Sequence, residues 1–146
     1  MIWIRAFTKI FAIPGVRIGY LINSDEELFR RIASQLPEWN LSTFAQHAGL
    51  ACVMEQEYIT QTRDYVEQEG AFLSEELRNM GFEVYPHVAN FLLLYTELPL
   101  YERLLKKGIL IRDCSNFKGF PKGYYRIAIK RREENEQLLK TIGDIL

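Results

Sequence analysis

A lysine with a hydroxyl immediately before it and a guanidinium eight residues after it is the grouping in this chain best suited to covalent cofactor chemistry. It lies in the stretch from Arg5 to Tyr20, where Thr8, Lys9 and Arg17 supply the polar groups of one short loop. A lysine amine forms a Schiff base with an aldehyde such as that of pyridoxal phosphate when its surroundings leave enough of it unprotonated. Thr8 and Arg17 then suit the phosphate. The hydroxyl donates one hydrogen bond and the guanidinium a planar charged fork, a combination that matches a dianionic ester. A lone lysine is ordinarily a solvated surface residue, so the surrounding loop carries this reading.

Thr8-Lys9, Ala12, Pro14-Gly15, Arg17 and Gly19-Tyr20 resemble the lysine loop of the class I/II aminotransferase family. The resemblance implies a fold-type-I pyridoxal-phosphate enzyme in which Lys9 is the catalytic residue that carries the cofactor and Arg17 binds its phosphate. One position departs from the family pattern. The serine expected three residues before the lysine is Ala6, which shifts more of the hydroxyl's share onto Thr8. In this family the lysine loop lies past the middle of the chain, whereas Lys9 is the ninth of 146 residues. The chain is therefore expected to be a C-terminal part, with residues 1–36 a remnant of the large cofactor-binding domain and 37–146 the small domain. Such an enzyme also needs a carboxylate at the pyridinium nitrogen, a ring stacked on the cofactor and a backbone cradle for its phosphate. None is recognisable in the sequence, so the chain by itself is expected to be inactive.

A second chemical feature is the pair Arg112 and Arg126, each in or beside a short strand pattern. The segment Tyr125-Arg126-Ile127-Ala128-Ile129, followed by Glu133-Glu134-Asn135, is similar to the family's small-domain strand before the final helix. That implies that Arg126 binds the α-carboxylate of the substrate through a bidentate fork, which orients the bond to be broken. An exposed arginine paired with a surface acid is the plainer alternative. The run from Gly108 to Phe117 resembles the threonine-phosphate decarboxylases of cobalamin biosynthesis, with histidinol-phosphate aminotransferases as the alternative. Both imply a phosphorylated, amino-acid-like substrate, with Arg112 and Asn116 as candidate contacts for its phosphate. Ser115-Asn116 also reads as a turn whose side chains bond their own backbone. The two reactions diverge in which bond stands perpendicular to the cofactor ring, the carboxylate or the α-proton that lysine removes.

These groups need elements to position them, and the pattern is that of a mixed α/β chain whose small domain is α+β. Strands are expected at Ile2 to Arg5 and Val16 to Ile22, flanking the loop. Helices follow from Glu26 to Gln35 behind Ser24-Asp25, from Ser42 to Gln56, and from Tyr58 to Met80 with Gly81 as the stop. Beyond them come short strands at Phe82 to Tyr85, Asn90 to Tyr95, Ile109 to Arg112 and Tyr124 to Ile129. Pro99 opens a helix through Lys107, and Arg131 to Leu146 is amphipathic. Tyr58, Tyr65 and Phe72 repeat every seven residues, as core or partner-facing positions do.

With 48% hydrophobic residues and a formal charge of -1, the chain has material for a globular core and no basic face to select nucleic acid or an anionic membrane. No long apolar run or signal peptide is present, so a cytoplasmic protein is expected. Cys52 and Cys114 lack metal-ligand spacing, Cys52 reading as a small buried hydrophobe. His47 reads as a helix residue and His87 as part of a turn. A third reading is a non-catalytic association module whose exposed sheet edges and apolar surface require a second chain, giving a homodimer.

Overall fold

The computed structural model describes residues 1–146, which divide into two compact units, Met1–Thr62 and Arg63–Leu146. In the first, β1 (Ile2–Ala6) and β2 (Gly19–Asn23) form an antiparallel hairpin, with pairs running from Ile2↔Asn23 to Ala6↔Gly19. One further rung, from the Phe7 N–H to the Ile18 carbonyl at 3.3 Å, closes the base of the loop. Gly19 lets the strands approach, since a Cβ there would stand 2.6 Å from the Arg5 carbonyl oxygen. The strand expected from Val16 starts later, at Gly19. Pro14 opens a 3-10 turn through Val16, for which its fixed φ is suited, and Arg17 ends that turn in the left-handed region at φ 56°.

Local capping sets the helices that follow. The Asp25 side chain accepts from the Leu28 N–H and starts α1 (Glu26–Ala33), which carries acids in its first turn and arginines in its last. Ser42 Oγ accepts from the Ala45 N–H and starts α2 (Thr43–Met54). The buried residues here are few: Ile18, Ala45, Gly49 and Cys52. The Ile18 side chain lies against Gly49 where a Cβ would otherwise be. Every residue of β1 is exposed.

Helix α3 (Gln56–Asn79) is followed by β3 (Glu83–Val84), β4 (Phe91–Tyr95), α4 (Leu100–Leu105), β5 (Arg112–Asp113), β6 (Tyr124–Ala128) and α5 (Arg132–Gly143). The four strands form an antiparallel sheet in the order β3-β4-β6-β5. Strand alternation turns Leu92, Leu94, Tyr125 and Ile127 inward, where they join Leu73, Leu77, Leu100, Leu104 and Ile142 in one core. Each such leucine, taken fully out of water, contributes roughly 1.5–3 kcal/mol before entropy is counted. Gly81 stops α3 at φ 90° and Gly108 follows α4 at φ 80°, as glycine allows. The strand expected at Ile109 to Arg112 is instead Arg112–Asp113, where pairing with β6 begins.

Polar groups tie α3 to the start of α5. Buried Glu69 accepts from Arg132 Nη2 at 2.9 Å and from Asn135 Nδ2 at 2.9 Å. Asn135 Oδ1 in turn accepts from the Lys130 N–H, and the Arg132 guanidinium lies 3.6 Å over the Phe72 ring. Of the seven-residue stripe, Phe72 packs against the core and supports the Arg132 guanidinium, Tyr65 receives the Arg132 N–H, and Tyr58 stacks on Phe11 of the lysine loop. No helix is long and apolar enough to cross a membrane.

Candidate functional site

The lysine loop is a turn built from its own backbone. The Phe11 N–H donates to the Phe7 carbonyl at 3.2 Å and the Ala12 N–H to the Lys9 carbonyl at 3.1 Å, which curls the chain around Thr8 and Lys9. Ala12 leaves this turn with φ 53°. Two non-glycine residues in the left-handed region, Ala12 and Arg17, bracket the Ile13 to Val16 segment, at a cost of about 1 kcal/mol or more each. By hairpin register, Thr8 and Arg17 occupy the next opposed positions beyond the Phe7–Ile18 rung. Lys9 is exposed and its ammonium forms no ion pair. Arg17 Nη1 donates to the Pro14 carbonyl at 3.2 Å, leaving the rest of its fork free.

The residues of this loop fit a phosphorylated aldehyde cofactor. From Ala6 to Tyr20 there is no acidic residue, while a hydroxyl, an ammonium and a guanidinium are present. That donor set favours an anion, and the unpaired ammonium, once it gives up a proton, is the amine nucleophile the aldehyde requires.

The second group of candidates lies on the outer face of the β3-β4-β6-β5 sheet. Arg112 on β5 pairs in register with Arg126 on β6, so both side chains leave the same face. Like charges directly opposite repel, and the arrangement becomes favourable when an anion sits between them. Each guanidinium is backed by a ring: Arg126 stands 4.6 Å from the Phe91 centroid and Arg112 5.0 Å from that of Phe117. Arg112 Nη2 also donates to Asn116 Oδ1 at 2.9 Å. Asn116 therefore accepts from Arg112 through Oδ1, and its amide N–H groups make no hydrogen bond within the chain. In this unit the structure brings Arg112, Asn116 and Arg126 together. In the other, Thr8, Lys9 and Arg17 lie on one loop, between β1 and β2.

Beneath the arginine pair the Cys114 thiol is pushed up by burial, against the opposing pull of Arg126 and then Arg112. Near them, Tyr85, Tyr95, Phe120 and Tyr124 form an aromatic cluster with centroid separations of 5.0–6.0 Å. The Tyr85 phenol is held well above its ordinary range by the nearby Glu83 carboxylate and then by its hydrogen bond with Tyr124. Sequence reasoning did not single out Phe91 and Phe117 as supports. Phe117 lies five residues after Arg112, a local signal, whereas Phe91 meets Arg126 only through the β4–β6 pairing. His47 is exposed, with Nδ1 against the Thr43 carbonyl. His87 packs its ring on Gly70 of α3, filling the space of the absent side chain.

The profile of class I and II aminotransferases matches residues 1–142. Threonine-phosphate decarboxylase of Salmonella typhimurium is 38% identical over 99% of this chain and 41% of its own length. Among solved structures, the histidinol-phosphate aminotransferase from Clostridium acetobutylicum superposes with a TM-score of 0.93 at 35% identity, over 99% of this chain and 45% of that one. The L-threonine-O-3-phosphate decarboxylase from Porphyromonas gingivalis gives a TM-score of 0.83 at 26% identity, over 99% and 46%. The chain thus spans about two fifths of the length of the curated relatives it matches, 41% and 39% for the first two.

Proposed function

Because the chain belongs to the class I and II aminotransferase family, we propose that it provides the cofactor-lysine loop and the substrate-anion strand of a pyridoxal-phosphate enzyme that decarboxylates threonine phosphate. Members of this family use pyridoxal phosphate. The observation that carries the choice of substrate is the in-register pair Arg112 and Arg126. Threonine phosphate bears a carboxylate and a phosphate, two anions for two guanidiniums, while histidinol phosphate bears the phosphate alone. Amino-group transfer from histidinol phosphate is the second reading, favoured by the 0.93 TM-score to an enzyme of that name.

On this reading Lys9 Nζ holds the cofactor and moves the proton at the substrate's α-carbon, while Thr8 and Arg17 take the cofactor phosphate. When bound, the cofactor supplies a sink for the electron pair left on that carbon. Arg126 orients the carboxylate, and Arg112 with Asn116 takes the substrate phosphate. Residues 1–36 belong to the large domain and 37–146 to the small one. The remaining groups come from sequence corresponding to the rest of the relatives' length, so the chain alone turns over slowly or not at all. Pairing of two copies as a homodimer belongs to the same proposal.

Incubation with pyridoxal phosphate, borohydride reduction and peptide mapping tests the first half. Stoichiometric label on Lys9 supports it, and label scattered over all lysines rejects it. Release of CO2 from threonine phosphate, set against amino-group transfer from histidinol phosphate, separates the two reactions once the missing groups are supplied.

A further inference from the structure

Four aromatic rings run in file along the turn that carries Lys9. Tyr20 and Phe7 lie 5.3 Å apart between centroids, Phe7 and Phe11 5.8 Å, and Phe11 and Tyr58 5.5 Å, the last pair stacked within 16° of parallel. These spacings fall in the range where rings attract beyond simple burial. Phe7 and Phe11 are also the two ends of the hydrogen-bonded turn, 3.2 Å from N–H to carbonyl, and Lys9 is its middle residue. Nothing in the lysine side chain itself holds the turn, since Lys9 is exposed and without an ion pair. The chain then leaves through Ala12 at φ 53°, a conformation that a residue with a Cβ keeps only under constraint from its surroundings.

The first three rings belong to the hairpin and its loop. Tyr58 is the fourth and comes from elsewhere, the first turn of α3. Its hydroxyl makes no hydrogen bond within the chain, so its contact with the loop is the stacked ring. We infer that Tyr58 is a positioning residue for Lys9: by stacking on Phe11 it holds the turn from Phe7 to Ala12 in the shape that presents the amine. The inference rests on the reading of Lys9 as the cofactor lysine.

The test compares the whole chain with Tyr58→Phe, which keeps the ring, and Tyr58→Ala, which removes it while favouring the helix. Amide exchange of Phe11 and Ala12, the two donors that close the turn, is measured against the β1–β2 rungs. Tyr58→Ala is expected to speed the turn amides roughly two- to tenfold, the factor that corresponds to the loss of one such ring pair. Tyr58→Phe is expected to match the parent. In parallel, the pyridoxyl label on Lys9 after borohydride reduction is taken as a ratio to that on the other six lysines. The ratio should fall in Tyr58→Ala and hold in Tyr58→Phe. Unchanged turn exchange in Tyr58→Ala overturns the inference, as does a rise shared equally by the β1–β2 rungs, or a loss of protection in Tyr58→Phe. A scattered label in the parent rejects the cofactor reading instead, and the exchange contrast then decides whether Tyr58 holds the turn.

Discussion

The two units hold charged side chains in place by different means. In Arg63–Leu146, Arg112 and Arg126 project from a sheet whose other face is packed into a continuous core, with Leu73, Leu92 and Leu94 wholly buried. In Met1–Thr62, Lys9 sits on a loop of a hairpin whose first strand is exposed throughout, and the loop is shaped by two turn hydrogen bonds and a file of rings. A core fixes backbone register at a distance, so residues far apart in sequence can be placed opposite each other. A turn fixes only its own members, and strain at Ala12 and Arg17 accompanies it. The contrast is between geometry set by packing and geometry set by local bonds.

The largest effect should come from the core. Leu92→Ala is expected to cost about 2–5 kcal/mol in urea unfolding followed by circular dichroism, whereas Ile4→Ala, at a residue 76% exposed, should stay within about 0.5 kcal/mol. A cost above roughly 1 kcal/mol for Ile4→Ala would show that the hairpin is packed in solution and would break the comparison. Next comes the buried polar tie. Glu69→Ala leaves Asn135 and Arg132 without their carboxylate, and a loss of about 2 kcal/mol is expected, reduced from the fully buried case because Arg132 reaches solvent.

The arginine pair separates function from stability. Arg112→Gln removes a like-charge neighbour of Arg126, so its unfolding free energy should move by no more than about 0.5 kcal/mol. Under the proposed function, affinity for threonine phosphate by calorimetry should fall roughly tenfold to a hundredfold, as for the loss of a charged hydrogen bond. A large stability loss with unchanged affinity would place Arg112 among the structural residues.

The smallest effect concerns Glu134, whose carboxyl is held below its usual range chiefly by the hydrogen bond from Lys130 at 2.6 Å. A depressed folded-state value stabilises above the unfolded carboxyl range, and that contribution disappears as pH falls through the folded value. Lys130→Gln should therefore raise the Glu134 titration seen by NMR toward the ordinary glutamate range, and its stability difference from the parent should vanish in acid.

Helix starts were the most legible part of the fold, because Asp25 and Ser42 bond amides only three residues away. Glycine stops at Gly81 and Gly108 were legible for the same local reason. Strand limits were less so. Val16 has the composition of a strand but is taken up by a proline-led turn that Arg17 ends, and Ile109 to Ile111 has it but precedes the pairing with β6. Of the candidate site, the Thr8, Lys9 and Arg17 grouping was visible because all three belong to one loop. The ring behind Arg126 and the ring stacked on Phe11 were not, since Phe91 and Tyr58 come from other elements.

By itself, then, the sequence determined which chemistry is available: an amine, a hydroxyl and a guanidinium on one loop free of acids, and two further arginines near short strands. Contacts within a few residues are encoded by neighbours, and capping, turns and donor type follow from them. Only the tertiary structure decided that Arg112 stands opposite Arg126, that Phe91 backs one of them, and that Tyr58 stacks beside the lysine turn. Those placements depend on strand register and on packing across long stretches of chain, and a shift of one residue in register would send each arginine to the other face of the sheet.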